Sequence, residues 1–128
     1  MMKIKINDLQ ELDDFIRKIL PLIKKNKILL LYGDLGSGKT TFVKLLAKQL
    51  EIKDKITSPS FNYMKTYNGL IHIDLYNYKG DLDEFVDYFE DNIVAIEWSE
   101  YLKYQFDNFT KIKISIINDQ RFIELEEK

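Results

Sequence analysis

Apolar residues at Leu9, Leu12, Phe15, Ile16, Ile19 and Leu20 recur at the spacing of a helix with one buried face. Asp8 precedes them as an N-cap, and Glu11 follows at capping-box distance. Pro21 is expected to end or bend this helix, because it lacks an amide proton and its ring crowds the preceding turn. Ile28-Leu29-Leu30-Leu31-Tyr32 is a short continuous apolar run, the pattern of a strand covered on both faces. A glycine-rich stretch follows, and Phe42, Val43, Leu45, Leu46 and Leu50 then predict a helix over residues 41–50.

Residues 51–60 are mostly polar, contain Pro59 and read as a loop. Segments 62–66 and 70–75 flank Asn68-Gly69, a dipeptide that favours a type I′ hairpin turn with positive φ at both central residues. Residues 81–90 predict a short acidic helix with Leu82, Phe85, Val86 and Phe89 inward, and residues 93–96 a second buried strand. Ile112, Ile114 and Ile116 alternate with polar or flanking residues, and a turn at residues 118–120 leads into 122–125, a second hairpin. The expected fold is α/β: a three-layer sandwich of the P-loop NTPase kind, whose mixed sheet has parallel core strands and antiparallel hairpin additions. With 128 residues and no internal repeat or linker, residues 1–128 are expected to form one domain.

Composition narrows the function. The absence of cysteine excludes a disulfide framework and a thiolate zinc site, and fits a reducing cytoplasm. Residues 1–6 lack the apolar core of a signal peptide. No apolar run approaches the ~18 residues of a membrane span. A cytoplasmic protein is therefore expected. The net charge of −2 argues against a domain that grips DNA or RNA by itself, since phosphate neutralisation drives such binding. The cluster Lys24, Lys25 and Lys27 reads as the solvated end of a helix, where cations complement the dipole.

Gly33-Asp34-Leu35-Gly36-Ser37-Gly38-Lys39-Thr40 matches G-x-x-x-x-G-K-[ST] without exception, and Thr41 follows. From residue frequencies this pattern arises in roughly one chain of this length in a few hundred. Its physics accounts for each part. Glycines let the backbone curl until successive N–H groups face phosphate oxygens. Lysine reaches the β- and γ-phosphates and the Thr40 hydroxyl ligates Mg²⁺. The helix that follows directs its positive end at the anion. An apolar strand before the motif and an amphipathic helix after it supply the required context, so the motif predicts binding of ATP with Mg²⁺.

Such a site needs a carboxylate near the metal, commonly at a strand end. Glu97 closes the apolar run at 93–96, and Asp74 closes 70–73. Either position can also be an ordinary cap or turn residue. Glu97 is the preferred metal-side acid, with Asp74 near the γ-phosphate ordering water or the outer shell of the metal. His72, the sole histidine, reads as a packing residue of an apolar strand, and Trp98 either packs over the nucleotide or belongs to the core. Ser58-Pro59-Ser60-Phe61 is a rigid hydroxyl-bearing loop that either closes on the γ-phosphate as a switch or is a plain turn.

These motifs together resemble the TsaE family, the ATPase component of bacterial tRNA threonylcarbamoyladenosine biosynthesis. The family pattern G-D-L-G-[AS]-G-K-T-T, S-P-[TS]-[FY], H-x-D-L-Y-R and E-W falls here on residues 33–41, 58–61, 72–76 and 97–98, in order and with matching spacing. The resemblance implies an ATPase acting with TsaB and TsaD proteins, which place a threonylcarbamoyl group on an adenosine beside the tRNA anticodon. ATP hydrolysis would reset that complex between turnovers, and tRNA would be met through the partners. It also implies a switch role for the loop with Ser58 and Ser60, and Mg-ATP roles for Asp74 and Glu97. Asn77 stands where the family usually has arginine, and Leu12 where it usually has a threonine near the nucleotide. Arg121 matches an arginine frequent in the C-terminal hairpin, and either reaches the nucleotide or stays on the surface.

Two other classes share the glycine-rich loop. A small-molecule kinase usually clamps the transferring group with several arginines, whereas this chain has only Arg17 and Arg121 and no lid-length insertion. A nucleotide-binding switch without useful hydrolysis overlaps the main reading, since no arginine finger is evident in cis; slow turnover alone and faster turnover with partners is the expectation. The chain has no N-K-x-D segment after the loop, which argues against guanine recognition.

Overall fold

The computed structural model describes residues 2–34, 36–57, 59, 63–76, 78, 80 and 82–128, with the backbone alone at Glu84. The elements in chain order are β1 (Met2–Ile6), α1 (Leu9–Asn26), β2 (Ile28–Tyr32), α2 (Lys39–Gln49), β3 (Met64–Tyr67), β4 (Leu70–Asp74), α3 (Asp83–Val86), β5 (Ile93–Glu97), a 3₁₀ turn (Ser99–Tyr101), β6 (Thr110–Ile117) and β7 (Gln120–Glu127). The strands form one seven-stranded sheet in the order β1-β7-β6-β2-β5-β4-β3. Strands β6, β2, β5 and β4 run parallel in its middle, and β1, β7 and β3 add to it antiparallel. This is the expected mixed α/β sheet.

The central strands are buried on both faces, as their unbroken apolar runs require. On one face Leu29, Leu31, Leu70, Ala95 and Ile112 meet Phe15, Ile16, Ile19 and Ile23 of α1 and Phe42, Val43 and Leu46 of α2. On the other, Leu30, Ile71, Ile73, Val94 and Ile96 meet Leu75, Leu82 and Phe85, with Phe89, Phe106 and Phe109 packed alongside. Phe42 is fully buried, and truncating so enclosed an aromatic ring typically costs ~3–5 kcal/mol. It anchors the first turn of α2, the turn that carries Lys39 and Thr40.

Several elements depart from the sequence expectation in informative ways. Helix α1 is not ended at Pro21 and runs to Asn26. Pro21 is exposed, and the turn beyond it is held by fully buried Ile23, so core packing outweighs one missing hydrogen bond on the solvent side. The capping reading holds at Asp8, which accepts from Glu11 N at 2.9 Å, while Glu11 reaches back one residue further than a capping box, to Asn7 N at 2.8 Å. Helix α2 starts at Lys39, two residues earlier than expected, because Gly38 at φ 113° acts as its N-cap.

The hairpin β3–β4 forms at Asn68-Gly69, but only Gly69 has positive φ. The two-residue turn with positive φ at both centres is instead Asn118-Asp119, between β6 and β7. The expected acidic helix shrinks to four residues, α3. Its flanks carry Asp87, Glu90 and Asp91, and carboxylates toward a helix C-terminus oppose its dipole. Strand β1 was not expected at all, although Met2 to Ile6 alternates; it pairs with β7 along its whole length and places Lys3 and Lys5 on an open sheet edge. Among the described residues no helix is long and apolar enough to cross a membrane.

Candidate functional site

The site lies where the parallel strands end against the first turn of α2. After β2 the chain bends through Gly33, whose φ is 146°. A side chain cannot be placed there: a Cβ would lie 2.6 Å from both the Ile114 carbonyl oxygen and Ser37 Oγ. The loop closes on Gly38, so α2 begins with no side-chain cap and no acidic residue in its first turn. Its leading N–H groups therefore meet no side-chain acceptor from the helix's own first turn. A cleft here measures about 280 Å³ and is lined by Gly36, Ser37, Gly38, Lys39, Thr40, Thr41, Asp74, Glu97 and Trp98.

Lys39 is only 4% exposed. Its ammonium donates to the carbonyl oxygens of Gly33 and, at 3.1 Å, Asp34, and it lies 3.8 Å from the centre of the Trp98 ring. Burial pushes its pKa below the ordinary lysine value, while Glu100, Glu97, Asp74 and Asp34 pull it back upward. Asp34 also serves the loop through its carbonyl, which accepts from Ser37 N at 3.0 Å.

The metal-side candidates converge across the sheet. Register pairs Asp74 with Glu97 and Leu31 with Glu97, so three strand ends meet at one level. Glu97 is 3% exposed, and Thr40 Oγ1 lies 3.0 Å from each of its carboxylate oxygens. Asp74, half-buried at the cleft wall, accepts from Tyr76 N at 2.9 Å and so turns the chain immediately beyond β4. Trp98 has left-handed backbone angles, φ 58° and ψ 42°. That conformation is unfavourable for a bulky residue, and it swings the indole back over Lys39.

Two residues outside the predicted set join the site. Glu100, in the 3₁₀ turn, accepts from Gly33 N at 2.9 Å through Oε2. Its approach is tertiary, across 67 residues, and no local pattern foretells it. His72, read from sequence as packing, is indeed fully buried, but its Nε2 hydrogen-bonds Glu97 Oε2. The signal for that contact is the two-residue spacing to Asp74, which puts both side chains on the sheet face that meets α2. Arg121 does not line the cleft. Its Nε lies 3.7 Å from where a Gly38 Cβ would stand, and the residue lines a separate pocket with Lys5, Asn7 and Asp119. Leu35, Ser58, Ser60 and Asn77 lie outside the described residues.

The family model described as "Threonylcarbamoyl adenosine biosynthesis protein TsaE" matches residues 6–124, which include every site residue named above. The chain belongs to the TsaE family.

Among curated relatives, the tRNA threonylcarbamoyladenosine biosynthesis protein TsaE of Aquifex aeolicus is 42% identical over 90 residues, covering 65% of this chain and 65% of that protein. The protein of the same name from Rickettsia prowazekii is 34% identical over 108 residues, covering 77% of this chain and 75% of that one. The match to the Aquifex relative thus spans slightly less than two-thirds of its length. A solved structure titled "Crystal structure of Bacillus subtilus YdiB" shares the fold at a TM-score of 0.66 and 29% identity, covering 95% of this chain and 82% of that one. Leu12 is 3% exposed in the α1 core and offers the cleft no hydroxyl.

Proposed function

We propose that this TsaE-family chain is a P-loop ATPase that binds Mg-ATP in the cleft at the start of α2 and turns it over slowly by itself. One observation carries the reading: a buried lysine, a helix-leading threonine and two strand-end carboxylates, separated by up to 58 positions in sequence, line the same cleft. The loop amides and Lys39 would hold the β- and γ-phosphates, with Lys39 exchanging its carbonyl partners for phosphate oxygens. Thr40 Oγ1 would ligate Mg²⁺, Glu97 would serve as its metal-side acid, and Asp74 would order water at the γ-phosphate. Bound Mg²⁺ would neutralise charge on the transferring phosphoryl group. The described residues contain no cluster of three or more acidic, histidine or cysteine side chains able to cage a metal. A Thr hydroxyl, one carboxylate, water and substrate oxygens suit Mg²⁺, which usually keeps much of its water.

Among the described residues no arginine lines the cleft. Arg17 pairs with Asp13 and Asp14 on the outer surface of α1, and Arg121, near Gly38, lines a separate pocket with Lys5 and Asp119. Transition-state charge is thus incompletely met in cis, which supports slow basal turnover and stimulation by partners. In line with the names of its relatives, we infer that the chain supports formation of N6-threonylcarbamoyladenosine beside the tRNA anticodon, working with TsaB and TsaD proteins in the cytoplasm. Its net charge of −2 fits an arrangement in which the partners hold the RNA.

The test is steady-state ATP hydrolysis by the purified chain, alone and with its cognate TsaB and TsaD proteins. A slow basal rate that rises with both partners is expected. No stimulation by verified partners, together with γ-phosphate transfer to a small molecule, would replace this reading with a kinase.

A further inference from the structure

We propose that His72 is a positioning residue, which acts through Glu97 by holding its Oε2 so that the rest of the carboxylate stays committed to Thr40 and the cleft. The inference rests on the Mg-ATP reading of the cleft. It starts from an electrostatic requirement. Glu97 is 3% exposed, and a buried carboxylate is strongly disfavoured unless donors satisfy it. Thr40 lies 3.0 Å from both Glu97 oxygens, yet a hydroxyl has a single proton and can satisfy only one of them at a time. His72 Nε2 lies on Oε2 and supplies the second donor, because an ionised carboxylate can only accept.

The backbone arranges this contact deliberately. In the parallel register His72 faces Ala95, and Glu97 stands two residues further along the same face of β5. A methyl group opposite the imidazole leaves room for the ring to lean diagonally onto Glu97. His72 is fully buried, and among the described residues its Nδ1 has no hydrogen-bond partner. A packing residue alone would not need an imidazole here: an apolar side chain of similar size would fill the space without stranding a polar nitrogen. Among the described residues, the ring's one directed interaction is with Glu97.

The test compares His72→Gln, which keeps an amide donor near the Nε2 position, with His72→Asn, whose amide reaches only the Nδ1 position, and with His72→Leu. Folding is checked by circular dichroism and thermal melting. The readouts are turnover against Mg²⁺ concentration at saturating ATP, and ATP binding in EDTA. His72→Gln is expected to stay within about threefold of the wild-type Mg²⁺ half-saturation. His72→Asn and His72→Leu are expected to raise it about tenfold, the scale of one charge-assisted hydrogen bond, while metal-free ATP binding shifts less than about twofold. If the two amide variants behave alike, or folded His72→Leu follows the wild-type Mg²⁺ curve, His72 is only a packing residue. Should Asn and Leu fail to fold, His72→Gln decides alone: a folded Gln variant with a tenfold loss overturns the proposal, and one within threefold upholds it. A wild-type chain that binds no Mg-ATP would overturn the reading of the cleft itself, an outcome distinct from any of these.

Discussion

The Lys39 ammonium lies 3.8 Å from the centre of the Trp98 ring, while two of its protons go to carbonyl oxygens of its own loop. The cation is paired entirely within the chain, and a desolvated contact of this kind is worth ~2 kcal/mol. Phosphate would compete with both sets of partners. Trp98 is the only tryptophan, so its emission reports directly on this exchange. Titration with Mg-ATP is expected to change Trp98 fluorescence saturably, and Lys39→Ala to abolish both the change and productive binding. Unaltered Mg-ATP affinity in Lys39→Ala, measured by calorimetry, would remove the phosphate assignment from the loop.

The lowered pKa of Lys39 has a signed consequence for stability. The folded chain releases this proton more readily than the unfolded chain, whose lysine keeps its ordinary value of 10.5. Stability therefore gains as pH rises through the window between the lowered value and 10.5, and loses that gain as pH falls. Tyr32 is shifted upward, by burial first and then by Glu100 and Glu126, and works in the opposite direction. It is common to wild type and to Lys39→Met, so the difference between their melting temperatures isolates Lys39. That difference should move in favour of the wild type between pH 7 and pH 10. A constant difference would show that burial does not disfavour the charged lysine.

Glu97 and Asp74 face one another across β4 and β5, but only Glu97 contacts Thr40 among the hydrogen bonds described. If Glu97 is the metal-side acid, as proposed, Glu97→Gln is expected to raise the Mg²⁺ requirement for turnover by about tenfold, which corresponds to about 1.4 kcal/mol. Asp74→Asn should act mainly on the turnover number. A wild-type Mg²⁺ titration curve for Glu97→Gln would transfer the metal-side role to Asp74.

Glu100 holds Gly33 N at the mouth of the loop. Glu100→Ala removes the acceptor and should weaken Mg-ATP binding about fivefold, the scale of one partly exposed hydrogen bond to a charged group. Glu100→Gln, which retains a carbonyl oxygen, should recover most of it. Equal losses in the two variants would point to the negative charge rather than the hydrogen bond.

The sequence was most legible where local rules and tertiary packing agree. The unbroken run at 28–32, the glycine-rich motif and the helix after it specify one another over a few residues; the strand forms as expected and the helix follows the motif, two residues early. Pro21 does not end α1, because the burial of Ile23 outweighs a local breaker. Strand β1 is not legible locally, because among the described residues it pairs with β7 alone, at the other end of the chain.

For this protein, the sequence by itself determined the chemistry on offer: a loop that only glycines can form, a lysine and a threonine at a helix start, and carboxylates at two strand ends. These follow from steric limits and short-range periodicity. Which of those groups meet was decided by the sheet. The register of β4, β2 and β5 brings Asp74 and Glu97 to one level at the start of α2 and turns His72 from a packing residue into a partner of Glu97; the pairing of β7 with β1 and β6 sets Arg121 close to Gly38. The physical reason is that a one-residue slip in a strand would reverse which face each side chain takes, and that register is set by burial across the whole core.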